Sequence, residues 1–169
     1  MGFLRIIEIL NTLDRPGTDK VIRFMRENNY AGSSCYGHHK HEGGLVDHSL
    51  EVYDYMIARR RKLPKDSVIV CAFFHDLGKA TKGKRKIHDH EVRSIRILDK
   101  CGFHLTDQER NAILTHHKIA GFFKDPLRKL LSKADMDSTG RWKEANDPNH
   151  NATLFKAFKH GLLKFFSKL

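Results

Sequence analysis

The sequence predicts an all-α protein, and two observations carry the prediction. Apolar residues recur three and four positions apart through almost every segment, and the turn residues fall between such segments rather than within them. No stretch gives a convincing strand pattern. At 169 residues the chain is long enough for one domain with a proper core and too short for two comfortable ones, so a single domain over residues 1–169 is expected.

Each helix is justified locally. Thr18 is placed to cap a helix with Val21, Phe24 and Met25 on one face. The next runs from about Gly44 to Arg61 and turns Leu45, Val52, Tyr53 and Met56 inward. His48, three residues after Leu45 and four before Val52, shares that inward face. Asp66 or Ser67 starts a helix whose apolar run, Val68 to Phe74, ends in His75 and Asp76. Gly78 and the basic stretch "KATKGKRK" terminate it. A further helix spans about Asp89 to Lys100. Thr106 and Glu109 form a T-x-x-E capping box for a helix that reaches His116 and His117 at its C-terminal end. Asp125 and Pro126 are an N-cap and first-turn pair, and Leu127, Leu130, Leu131 and Ala134 give the following helix an apolar face that Asp135 continues.

From Ser138 to His150 the chain reads as a polar surface loop. The tail, about 151–168, reads as an amphipathic basic helix, with Leu154, Phe155, Phe158, Leu162 and Phe166 opposing several lysines. Packing on the domain is its expected role, and lying on an anionic membrane is the alternative.

Composition limits the function classes. Thirty-one Lys and Arg against twenty Asp and Glu leave a charge of +11 and a pI of 9.7, which favours a polyanionic substrate or partner. The longest apolar run falls far short of the roughly 20 residues a membrane-spanning helix requires. The N-terminal residues show no export or lipidation signal. Cys35, Cys71 and Cys101 are odd in number, far apart and never in a CxxC pair, so neither a disulfide framework nor a structural zinc site is indicated, and a reducing cytoplasm fits best.

Twelve histidines, gathered at 38–48, 88–90 and 116–117, are the compositional oddity. A buried carboxylate costs several kcal/mol unless a cation meets it, so Asp76 at the end of the most apolar stretch demands either a salt bridge or a metal ion. Helical periodicity sends His48, His75, Asp76, His90, His116 or His117, and Asp135 toward the core or to helix ends facing it. Imidazoles with carboxylates suit iron, manganese, cobalt, nickel or zinc, whereas magnesium and calcium prefer oxygen alone. Asp137 is a weaker ligand candidate, and His88 and His104 read as surface residues.

With those residues in place, the sequence resembles the HD-domain superfamily of metal-dependent phosphohydrolases. That pattern is a His, a His-Asp doublet and a distal Asp on an all-helical bundle. Here "GGLVDHSLEVY" supplies His48, "FFHDLGKA" supplies His75 and Asp76, and "LLSKADMDS" supplies Asp135, over a motif core of about 38–138. Two-metal members add further histidines, for which "HDHEVRS" and "ILTHHKIAG" offer His90 and either His116 or His117. His116 is preferred by its position in the family pattern. The Gly-Tyr-Pro signature of the cyclic-dinucleotide branch is absent from "HHKIAGFFKDP".

The resemblance implies one or two divalent transition-metal ions and hydrolysis of a nucleotide or nucleic-acid phosphoester by metal-activated hydroxide. Lys79 is placed to answer phosphoryl charge, and Lys82, Lys84 and Arg85, with Lys118, to hold phosphates. His39, near the pocket rim with Tyr36, His38 and His41, is a candidate acid for the leaving group. Two rival readings accompany this one. The first is a di-iron oxygenase, since relatives such as inositol oxygenase share the ligand set. The second is a catalytically inactive nucleic-acid-binding module.

Overall fold

The computed structural model describes residues 1–35, 39–80, 89–117 and 125–138. Among them are seven α-helices and no strand: α1 (Gly2–Leu10), α2 (Thr18–Glu27), α3 (Gly44–Arg59), α4 (Lys65–Phe74), α5 (His90–Lys100), α6 (Asp107–Thr115) and α7 (Pro126–Ser138). Short 3-10 turns follow α2 at Tyr30–Gly32 and α4 at Leu77–Ala80. No helix among these residues is long and apolar enough to cross a membrane.

The helix α4 is the pillar of the bundle. Every residue from Ser67 to Phe74 is buried, so the helix has no solvent face and is apolar on all sides. Burying each of its Val, Ile and Phe side chains contributes about 1.5–3 kcal/mol, enough for the helix to carry a polar His-Asp pair into the interior at its end. Around it, α3 packs against α4, α7 and α1, while α6 lies against α4 and α7 and α5 crosses the Leu77–Ala80 turn.

Local signals set most boundaries. The capping box at Thr106 is formed in both directions, with Thr106 Oγ1 accepting from the Glu109 amide at 3.2 Å and the Glu109 carboxylate accepting from the Thr106 amide at 3.0 Å. Asp125 caps α7, its Oδ1 accepting from the Leu127 amide at 3.0 Å. One cap differs from the sequence expectation. Gly17 is the N-cap of α2, and Thr18 is its first helical residue, with Oγ1 donating to the Arg15 carbonyl at 2.8 Å. The N-terminal residues form α1, which buries Ile6, Ile7 and Leu10 against the bundle.

Glu109 has a second task. Arg15, in the turn before α2, donates to both its carboxylate oxygens, at 2.7 and 2.9 Å. Glu109 is fully buried. Burial works to raise its carboxyl pKa, but the Arg15 contact, with help from Ser67 and the Thr106 amide, outweighs burial and holds it below the ordinary value.

Candidate metal centre

Five segments converge on one buried cluster. α3 contributes His48, the turn after α4 His75 and Asp76, the start of α5 His90, the end of α6 His116 and His117, and α7 Asp135. Each arrives for a local reason. His48 lies on the buried face of α3 between Leu45 and Val52. His75 closes α4, and its Nδ1 faces the carbonyls of Ala72 at 3.0 Å and Cys71 at 3.2 Å, so Nδ1 carries the proton and Nε2 keeps its lone pair. His116 ends α6 in the same manner, with Nδ1 donating to the Ile113 carbonyl at 2.7 Å. Its Nε2 is buried with no hydrogen-bond partner among the described residues.

On one side, His48 Nε2 lies 3.1 Å from His75 Nε2 and 3.3 Å from both Asp76 Oδ2 and Asp135 Oδ1. On the other, Asp76 Oδ1 lies 3.1 Å from His90 Nε2, which is 3.2 Å from His117 Nε2. His117 Nδ1 in turn is 3.5 Å from Asp135 Oδ2. In each of three groups the donor atoms all lie within 4.8 Å of one another: His48 with His75 and Asp135; Asp76 with His90, His116 and His117; and Cys35 with His48 and Asp76. The two oxygens of Asp76 face different groups.

Electrostatics fit a cation-binding site. Burial pulls the His75 imidazole down to about 4 and that of His116 down to about 3, so both are neutral donors at physiological pH. His48 goes the other way. Burial opposes its charge, but the hydrogen bonds to Asp135 and Asp76 prevail and raise it to about 9. The Asp76 and Asp135 carboxyls are held well below the usual range despite burial, Asp76 by His75 and Lys79 and Asp135 by His48 and His75. Two carboxylates this deep need positive charge beside them.

The donor set suits a transition-metal ion. It combines imidazole nitrogens with lone pairs fixed by second hydrogen bonds, two buried carboxylates and one orphaned buried nitrogen. That is the coordination chemistry of a first-row transition metal.

The candidate ligands His48, His75, Asp76, His90 and Asp135 are brought together here, and so are both His116 and His117, of which only one was expected. Lys79 reaches the cluster differently from expectation. The 3-10 turn folds its side chain back until Nζ is 2.5 Å from Asp76 Oδ2, and the side chain is only 7% exposed. His39 stands at the rim, its ring 5.8 Å from that of His48 and its Nε2 3.2 Å from Glu51 Oε1. His104 is exposed, as expected. Tyr36, His38, Lys82, Lys84, Arg85, His88, Lys118 and the C-terminal helix lie outside the described residues.

Three participants escaped the sequence reading. Cys35 is buried with Sγ 4.0 Å from Asp76 Oδ2. Glu91 sets its carboxylate 3.5 Å from His90 Nδ1 and 3.9 Å from His117 Nε2. Ser138 lies 2.9 Å from His48 Nδ1 and donates to the Asp135 carbonyl at 2.9 Å, which makes it the acceptor for an Nδ1 proton of His48. Glu91 was legible in principle, as an acid beside a candidate ligand. Cys35 carried no spacing signal.

Glycines make two of these placements possible. A Cβ on Gly44 would lie 1.8 Å from the His39 carbonyl oxygen, and one on Gly78 would lie 2.3 Å from that of His90. The first lets the rim loop pack on the start of α3. The second lets α5 press on the His-Asp turn, where the Gly78 amide donates to Ser94 Oγ at 2.8 Å.

A family model described as HD domain matches residues 45–150. No curated protein and no solved structure matches the chain.

Proposed function

The chain belongs to the HD-domain family of metal-dependent phosphohydrolases, and from that premise we propose that it hydrolyses a phosphoester of a nucleotide or nucleic acid, with His48, His75, Asp76 and Asp135 holding one divalent transition metal and His90, His116 and His117, with Asp76, holding a second. The observation that carries this reading is the position of Asp76, whose two carboxylate oxygens face separate groups of imidazoles, at 3.3 Å from His48 and 3.1 Å from His90. A divalent ion held by these residues would supply a water nucleophile near neutral pH and positive charge for the phosphoryl oxygens.

The chain's own residues supply the rest. Asp76 ties the two groups of ligands together. Lys79, already at Asp76, brings a fixed cation to the place where phosphoryl charge accumulates. His75 and His116 are locked as neutral donors by the carbonyls behind them. His39 is the proposed proton donor at the rim. The charge of +11 supports an anionic substrate, and Lys82, Lys84, Arg85 and Lys118 are the proposed phosphate contacts.

The test is metal analysis of the purified protein together with a hydrolysis screen of nucleotides and short oligonucleotides, with Mn, Co, Ni and Fe supplied in turn. Released phosphate or shortened oligonucleotide that depends on the added metal, and that is lost in Asp76→Asn, is the expected result. Oxygen uptake without phosphoester cleavage would overturn the reading in favour of an oxygenase.

A further inference from the structure

At the opposite end of α3 from His48, a groove of about 1090 Å³ opens between the end of that helix, the turn that follows it and the first half of α7. Six cations line it: Arg59, Arg60, Arg61, Lys62, Lys129 and Lys133. Among the described lining residues there is no Asp or Glu. The remaining walls are apolar, from Tyr55, Leu63, Pro126 and Leu130, and the Arg59 guanidinium lies 3.9 Å over the Tyr55 ring. Arg60 donates to the Leu63 carbonyl at 3.1 Å, fixing the turn that forms one wall.

Arg59, Arg60, Arg61, Lys62 and Lys129 are like charges around one concavity and repel each other, and an occupant with several negative charges in series relieves that repulsion. The sequence of residues 139–169 holds six Lys and Arg against two Asp and Glu and so offers no such run of negative charge. Shape narrows the choice. A bilayer is flat and meets only the rim of a groove, leaving the apolar walls uncovered. A duplex keeps its bases stacked inside. A single strand matches both features, with its backbone along the cations and bare bases against an aromatic ring, a guanidinium plane and aliphatic surface.

We propose that this groove binds single-stranded nucleic acid. The site lies apart from the metal centre: Arg59 is eleven residues beyond His48, about 16 Å along the helix axis. Binding there requires no turnover, so it stands or falls independently of the hydrolase reading.

The test uses the full chain and a fluorescein-labelled oligo(dT) of about a dozen nucleotides, titrated by anisotropy between about 50 and 200 mM salt. The groove variant is Arg61→Gln/Lys62→Gln/Lys129→Gln and the control, which removes the same charge, is Lys20→Gln/Arg23→Gln/Arg26→Gln on α2, all six at exposed positions. The groove variant is expected to weaken binding at least about tenfold and to lower the slope of log K against log salt by about 2, since each phosphate left without its cation accounts for roughly 0.7 of that slope. Its bound-metal content is expected to equal that of the parent.

Three results would overturn the proposal. One is an oligonucleotide affinity that falls no further in the groove variant than in the control variant. Another is a parent protein that does not bind the oligonucleotide at the lowest salt. The last is groove-dependent binding to phosphatidylserine vesicles in place of the oligonucleotide.

Discussion

Lys79 Nζ lies 2.5 Å from Oδ2 of Asp76, three residues before it, and both side chains are almost wholly buried. The lysine thus answers the carboxylate that faces both groups of proposed ligands. Replacing it with Met removes the cation while keeping the aliphatic stem. In metal-free protein, Lys79→Met is expected to cost about 3–5 kcal/mol, the usual penalty for stranding one member of a buried ion pair. With saturating manganese the loss is expected to shrink to less than half, because the ion takes over the charge. Thermal unfolding in chelator and in manganese measures both, and an equal loss in the two conditions would show that no ion reaches Asp76.

Metal stoichiometry separates the two groups of donors. His90→Ala and His117→Ala are expected to reduce bound metal toward one ion per chain, whereas Asp76→Asn, which touches both groups, is expected to remove nearly all of it. His116→Ala is expected to cost more than His117→Ala, since His116 is buried with its free nitrogen aimed by the Ile113 carbonyl while the His117 side chain is 36% exposed. Elemental analysis after gel filtration reads each case. Full metal content in Asp76→Asn would contradict the shared-carboxylate reading.

Gly78→Ala tests how α5 is seated. Its added methyl would meet backbone of α5, 2.3 Å from the His90 oxygen and 3.0 Å from the Ser94 nitrogen, and backbone cannot swing aside as a side-chain tip can. The expected stability loss is about 1–3 kcal/mol, the range for overpacking. His90 is expected to move with the helix, so bound metal should fall as it does in His90→Ala. Unchanged metal content with only lowered stability would show that His90 is not held by this contact.

The Arg15–Glu109 pair, remote from the metal centre, predicts an acid limb in stability. Because the folded-state carboxyl of Glu109 is depressed, its contribution is complete above the ordinary value of 4.5 and is lost as the pH falls through the lower folded value. Arg15→Met is expected to cost about 3–5 kcal/mol at neutral pH and to flatten the decline below about pH 4.5. Urea unfolding at several acidic pH values measures both. A parallel decline in parent and variant would assign the acid limb to other carboxylates.

Local pattern alone made much of this protein legible. The spacing of Leu45, His48 and Val52, the capping box of Thr106 and Glu109, and the Asp125–Pro126 start of α7 depend on contacts within a few residues, so the sequence by itself determined the all-helical class and the direction in which His48 and Asp135 point. The apolar run before His75 likewise announced a helix buried on every side.

What the tertiary structure alone decided involves residues far apart in the chain or backbone bends too subtle for periodicity. Arg15 finds Glu109 across 94 positions, Cys35 comes to Asp76 across 41, and Ser138 reaches His48 across 90. No local spacing encodes such pairs, because they follow from how helices cross rather than from how each one coils. The inward turn of Lys79 is local in sequence, yet a 3-10 geometry in place of a continued α-helix sends its side chain back to Asp76. Both His116 and His117 join the cluster because helix crossing again decides it: the start of α5 meets the end of α6, which sets His90 Nε2 3.2 Å from His117 Nε2 and His116 in the same group.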